Sequence, residues 1–169
     1  MSIDNIQLPV SFYPSIFKKH LVDIQRESGG NEKVKARDEI EFLGGNEKNI
    51  TFILCNEQNK FLNDNELKFL SGLITACEIT MGDISIVNMS HNKDVDYNIL
   101  ATHLHSQKIL CFGVSPAEID LPFTIPYFQV QLFQDIQYIF CPGLEQLQND
   151  VDSKKQLWTS LQKIFKIGK

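Results

Sequence analysis

The strongest hydrophobic signal in the chain is the run at residues 50–55, where Ile50, Thr51, Phe52, Ile53, Leu54 and Cys55 stop abruptly at the polar Asn56, Glu57, Gln58 and Asn59. A near-continuous apolar run is what a parallel strand buried on both faces requires, whereas a half-exposed strand alternates. The pattern predicts a central strand. Ligands of open α/β sheets gather at the carboxyl ends of such strands, so any site is expected to begin at Asn56.

Around this strand the pattern alternates between periods. Leu8, Phe12, Ile16, Phe17, Leu21 and Ile24 fall at helical spacing, with Pro9 and Pro14 at the start and Ser15 as a candidate cap, which predicts a helix over residues 15–25. Residues 27–48 are rich in charge and carry the Gly29-Gly30 and Gly44-Gly45 pairs, and read as an exposed loop or hairpin. Neither pair is followed by the Gly-Lys-Ser/Thr of a phosphate-cradling loop. Asp64 then caps a helix running to about Met81 and Gly82, with Leu67, Phe69, Leu70, Leu73, Ile74 and Cys77 as its apolar stripe. Strands follow at residues 84–89, 108–114, 127–133 and 137–140. Residues 96–105 form a short helix between the first two of these, and Ser115 with Pro116 opens another. A last helix over residues 152–166 carries Leu157, Trp158, Leu161, Ile164 and Phe165 on its apolar side. Strands alternating with helices imply a mostly parallel sheet covered on both faces, joined by right-handed crossovers.

At 169 residues, 43% of them hydrophobic, the chain fits a single α/β domain, with residues 1–49 as an N-terminal helix and polar loop ahead of a core over residues 50–169. The formal net charge of -5 argues against tight binding of a phosphate backbone by the surface as a whole. The Lys18, Lys19 and His20 cluster reads as a solvated helix face. Cys55, Cys77, Cys111 and Cys141 are far apart, with no CxxC pair and no His at ligand spacing, so they read as reduced, buried thiols, and no metal is expected. No basic start with an apolar core marks a signal peptide, and no stretch reaches the ~20 apolar residues of a membrane span. The expectation is a cytoplasmic protein without cofactor or membrane partner.

Chemistry-bearing residues are few. His91 follows the second core strand directly, but no Cys, Asp or second His stands at a fixed spacing from it. His103 and His105 suit a helix end, where their partial positive charge meets the dipole. There is no Gly-x-Ser-x-Gly elbow, and Ser90 and Ser115 have no triad partner that the sequence assigns.

Near the C-terminus, Phe140, Cys141, Pro142, Gly143 and Leu144, followed by Lys154, Lys155, Gln156, Leu157, Trp158 and Leu161, resemble the closing motif of the uracil-DNA glycosylase superfamily. That motif is a His-Pro-Ser-x-Leu loop after the last strand and then a Lys-Arg-x-x-Trp-x-x-Leu helix. The likeness extends back through residues 108–113 and 84–89 to Asn56 and Glu57, where the family has Gly-Glu-Ala-Pro-Gly. It implies a three-layer α/β/α sandwich with a mostly parallel central sheet. The glycosylase reaction needs a polar residue in the first loop to position water, a His in the second to stabilise the departing base anion, and an aromatic on which the flipped base stacks. Glu57 meets the first requirement. Cys141 stands in the place of the His, and Asn56, Gln58, Asn59 and Lys60 replace small residues that let the loop approach a base. A thiol is a poor hydrogen-bond donor to an anion. These departures, the chain's size and its terminal Trp helix make it similar to the non-catalytic branch represented by the psi subunit of the bacterial DNA polymerase III clamp loader.

Two functions follow as expectations. One is a non-catalytic protein-interaction module, an accessory of DNA replication or repair with a protein as its main partner and DNA as a weak one. The other is a diverged uracil-DNA glycosylase that hydrolyses the N-glycosidic bond of a flipped base, with Glu57 and His91 as the catalytic candidates. The enzyme requires a pocket that joins Glu57, His91 and Cys141, lined by Asn56, Gln58, Asn59 and Pro142. The interaction module requires an exposed apolar surface, expected on the string Ile6, Leu8, Phe12 and Tyr13. Pro142 and Trp158 also have plain structural roles, as a turn after the last strand and a core anchor.

Overall fold

The computed structural model of the chain describes residues 40–167. The expected helix over residues 15–25 and the string Ile6, Leu8, Phe12 and Tyr13 lie outside that range. Within it the fold is α/β, with a six-stranded, mostly parallel mixed sheet and four helices.

The strands are β1 (Phe42–Leu43), β2 (Ile50–Leu54), β3 (Ile84–Asn88), β4 (Lys108–Phe112), β5 (Gln131–Phe133) and β6 (Ile136–Cys141). Their spatial order is β1-β3-β2-β4-β6-β5. The inner four are parallel, and β1 and β5 close the two edges antiparallel to their neighbours. The strand at 50–54 is central as expected. It pairs with β3 on one side (Ile50 opposite Ile84) and with β4 on the other (Ile50 opposite Lys108), and all five of its residues are buried.

Alternate side chains of these strands feed two cores. Phe52, Leu54, Ile86, Leu110, Phe112 and Ile139 meet α1 (Asp64–Ala76), α3 (Leu144–Asn149) and α4 (Val151–Phe165) through Leu70, Ile74, Leu147, Leu157 and Leu161. Ile53, Val87, Ile109, Cys111, Tyr138 and Phe140 meet α2 (Tyr97–His103) and the 3-10 helix Pro116–Ile119 through Leu100, Leu104 and Ile119. The connection from β2 to β3 thus uses one face and that from β3 to β4, which runs the opposite way along the sheet, uses the other. One crossover hand demands that arrangement.

Several sequence expectations change in detail. Asn63, not Asp64, caps α1: its side chain accepts from the Glu66 N–H at 2.8 Å while the Glu66 carboxylate accepts from the Asn63 N–H at 3.0 Å. The helix stops at Ala76 rather than near Met81, because Glu78 turns left-handed (φ 59°) and Ile79 N–H closes on Ile74 C=O. Residues 40–48 are not a free loop or hairpin. Phe42–Leu43 pairs with β3, and the amides of Gly45, Asn46, Glu47 and Lys48 bond carbonyls of residues 81–84. The second Gly pair serves this approach, since a Cβ on Gly44 would lie 2.2 Å from the Ile84 carbonyl oxygen and one on Gly45 2.4 Å from that of Gly82. The strand expected over residues 127–133 shrinks to three residues, for Phe128 is left-handed (φ 64°) where the chain passes from one core to the other. The helix α3 had no sequence expectation. Trp158 is only partly buried, at the border of a core whose interior is held by Leu157, Leu161 and Ile164.

Candidate functional site

The direction of travel along the sheet reverses at β2, so a crevice is expected between the carboxyl ends of β2 and β4. The loops that leave those ends are tied down by their own chain. Asn88, the last residue of β3, is wholly buried. Its side-chain amide nitrogen donates to the carbonyls of Asn56 (2.7 Å), Lys60 (3.0 Å) and Asn59 (3.1 Å). Its oxygen accepts from the N–H groups of Asn56 (2.9 Å) and Ser90 (3.1 Å). Asn56 adds a turn of its own, its oxygen accepting from the N–H groups of Gln58 and Asn59 and its amide donating to Glu66. The loop expected to form a ligand pocket is therefore wound around one asparagine.

The other expected loop is closed as well. Gly113 N–H donates to the Cys141 carbonyl at 2.9 Å, and with φ 69° Gly113 lies so near Gly143 that a Cβ on it would sit 3.1 Å from the Gly143 Cα. Cys141 and Pro142 are buried, and Cys141 belongs to the core that contains α1 and α4. Burial pushes its thiol up to about 12. It pushes the Cys77 thiol up to about 11, and that of Cys111 well above the ordinary range. These three are inert, protonated thiols at neutral pH. Cys55 departs from the expectation of burial: it is exposed, with its sulfur 3.1 Å from the Ser90 hydroxyl.

The structure brings some candidates together and separates others. His91 lies beside the Asn56 loop, its Nδ1 3.3 Å from the Asn88 amide nitrogen. Glu57 is exposed. A cleft of about 740 Å³ has His91 in its wall, together with Ile40, Glu41, Phe42, Asn92, His103 and Leu104. Of the three residues that the enzyme reading gathers around one pocket, only His91 lines this cleft, and Glu57 and Cys141 are not part of its wall. Asn92 builds the wall by fixing β1: it accepts from the Glu41 N–H and donates to the Glu41 and Asn88 carbonyls. Glu41 is also ion-paired with Lys60 of the Asn56 loop. Neither Asn88 nor Asn92 carried a sequence signal. An asparagine ending an apolar run, with a second one four residues later, is the trace that could have marked them.

Among the described residues no group of three or more His, Cys, Asp and Glu could hold a metal ion, and no helix is long and apolar enough to cross a membrane. No protein-family model matches the chain, and no curated protein matches it in sequence.

Proposed function

We propose that the protein is a non-catalytic protein-interaction module on a three-layer α/β/α sandwich of uracil-DNA glycosylase type, acting as an accessory of DNA replication or repair. The observation that carries this reading is the enclosure of Cys141, the residue in the position of the base-stabilising His, inside a core of apolar side chains. The winding of residues 56–60 around Asn88 supports it from the other loop, since four hydrogen bonds to one buried side chain hold that loop closed. The two cores on opposite faces of the sheet support the sandwich.

The partner surface of this reading is the apolar string of Ile6, Leu8, Phe12 and Tyr13, with a protein as the partner. Purified protein incubated with uracil-containing single- and double-stranded oligonucleotides is expected to release no base. Steady release that is lost in Glu57→Ala would overturn the proposal in favour of a diverged glycosylase. Deletion of residues 1–13 is expected to leave the melting transition of the remaining chain in place while removing retention of the partner. Collapse of the fold on that deletion would assign the string to the core.

A further inference from the structure

The sheet edge formed by β5 is short, at three residues, but lacks the charge that guards most edges. Soluble proteins guard edge strands with charged side chains, above all Lys, or with bulges that turn the edge away. Residues 121–134 contain no Asp, Glu, Lys or Arg, and these 14 residues are the longest such run in a chain whose composition is 22% charged. The run includes the whole of β5, whose outer side has no partner strand among the described residues. It also presents two large apolar side chains to solvent, Leu132 at 60% and Tyr127 at 57% exposure.

The edge is held in place from behind. Phe133 packs edge to face on Tyr97 and Phe123, with ring centroids 5.6 and 5.0 Å apart. Gln134 and Asp135, at φ 48° and 62°, make the tight turn that fixes β5 on β6. Little conformational freedom is left for a partner to remove, which favours association.

We infer that β5 is a self-association edge, at which a second copy of this chain pairs its own β5 antiparallel across a two-fold axis and continues the six-stranded sheet. Charge identifies the occupant. Two copies that each carry a net charge of -5 repel over most of their surfaces, and an isologous contact joins the same patch of both copies, so that a charged patch is set against its own sign. An uncharged edge escapes that penalty. With Leu132 on the axis, Leu132 meets Leu132 of the second copy and Gln131 meets Phe133. Asp135 falls opposite Gln129, so the acidic residue at the end of the run meets no carboxylate. The inference is independent of the proposed function.

Sedimentation equilibrium of the full chain over a range from about 1 to 500 μM, bracketing the affinities of small interfaces, tests it. The expected result is a mass that rises with concentration from 19.4 kDa towards twice that value. Leu132→Lys, which sets like charges against each other on the axis, is expected to weaken the dimer at least tenfold with an unchanged melting temperature. Gln129→Asp, which sets a carboxylate against Asp135 on both sides of the axis, serves as a second edge variant in case the first does not fold. Val151→Lys, at a comparably exposed apolar residue on α4, is expected to dimerise like the parent. A parent chain that stays monomeric throughout, or a dimer that survives both edge variants, would overturn the inference.

Discussion

At the scale of single residues, Asn88 does more than any other described side chain to shape the carboxyl-end loops. A buried amide that satisfies three carbonyls and two N–H groups leaves five backbone groups stranded when it is cut back to the Cβ, and each stranded group costs about 1–3 kcal/mol unless water reaches it. Asn88→Ala is expected to lower stability by about 3 kcal/mol in urea titration, with solvent filling part of the gap. Asn88→Asp separates hydrogen bonding from shape: it keeps the volume and the acceptor but aims a carboxylate oxygen at three carbonyls. At neutral pH it is expected to be the worse of the two substitutions, and an aspartate variant as stable as the parent would show that the loop does not depend on the amide. A lone asparagine at the end of a strand has no such role legible in sequence, because its partners come from a loop about thirty residues earlier whose path only the fold determines.

Elements were legible in proportion to how far burial alone decides them. The uninterrupted apolar runs of β2, β3 and β4 are readable because both faces of those strands are covered, and the alternative, a helix, would be too short to bury them. Ends were less legible, since caps and left-handed residues set them. Glu78 occupies the position after the α1 C-cap in the conformation that glycine favours, and the closing bonds of Glu78 to Thr75 and Ile79 to Ile74 are both present. Glu78→Gly is expected to raise stability by about 0.5–1 kcal/mol, as relief of the left-handed penalty exceeds the added chain entropy. Thermal or urea unfolding reads it, and a destabilised variant would mean that the Glu78 side chain contributes there. In α4 the apolar stripe was assigned correctly but its depth was not. Periodicity gives the face of a helix, whereas depth depends on the neighbours, and Trp158 lies at the border of the core. Trp158→Ala is therefore expected to cost about 1–2 kcal/mol, below the 3–5 kcal/mol of a fully buried aromatic.

On the scale of the whole molecule, the α/β class and the central place of the 50–54 strand follow from the sequence. The closing of its carboxyl end does not, because the same polar residues that mark a ligand loop also serve to satisfy one another. Acid stability depends on tertiary carboxylates. The Asp83 carboxylate accepts from the Thr80 N–H at 2.8 Å and from the Lys48 ammonium at 3.0 Å, and these contacts hold its pKa below the ordinary 3.8. A pKa lowered by folding stabilises the folded state above the unfolded value and ceases to do so as the pH falls through the folded one. Stability should thus fall as the pH drops below about 4. In Asp83→Asn that fall should be shallower, from a lower starting point at pH 7, and a pH profile parallel to the parent's would remove Asp83 from the account.

The position of β2 has a consequence for the order of events during synthesis. The strand is made before both of its neighbours, β3 and β4, and its pairing with β4 awaits residues 108–112. Until those residues leave the ribosome, Ile50, Phe52, Ile53 and Leu54 have no complete sheet to enter, and parallel pairing of distant segments is intrinsically slow. A nascent chain halted before residue 108 should accordingly expose this strand to chaperones and to other chains, whereas one released after β4 has emerged should not.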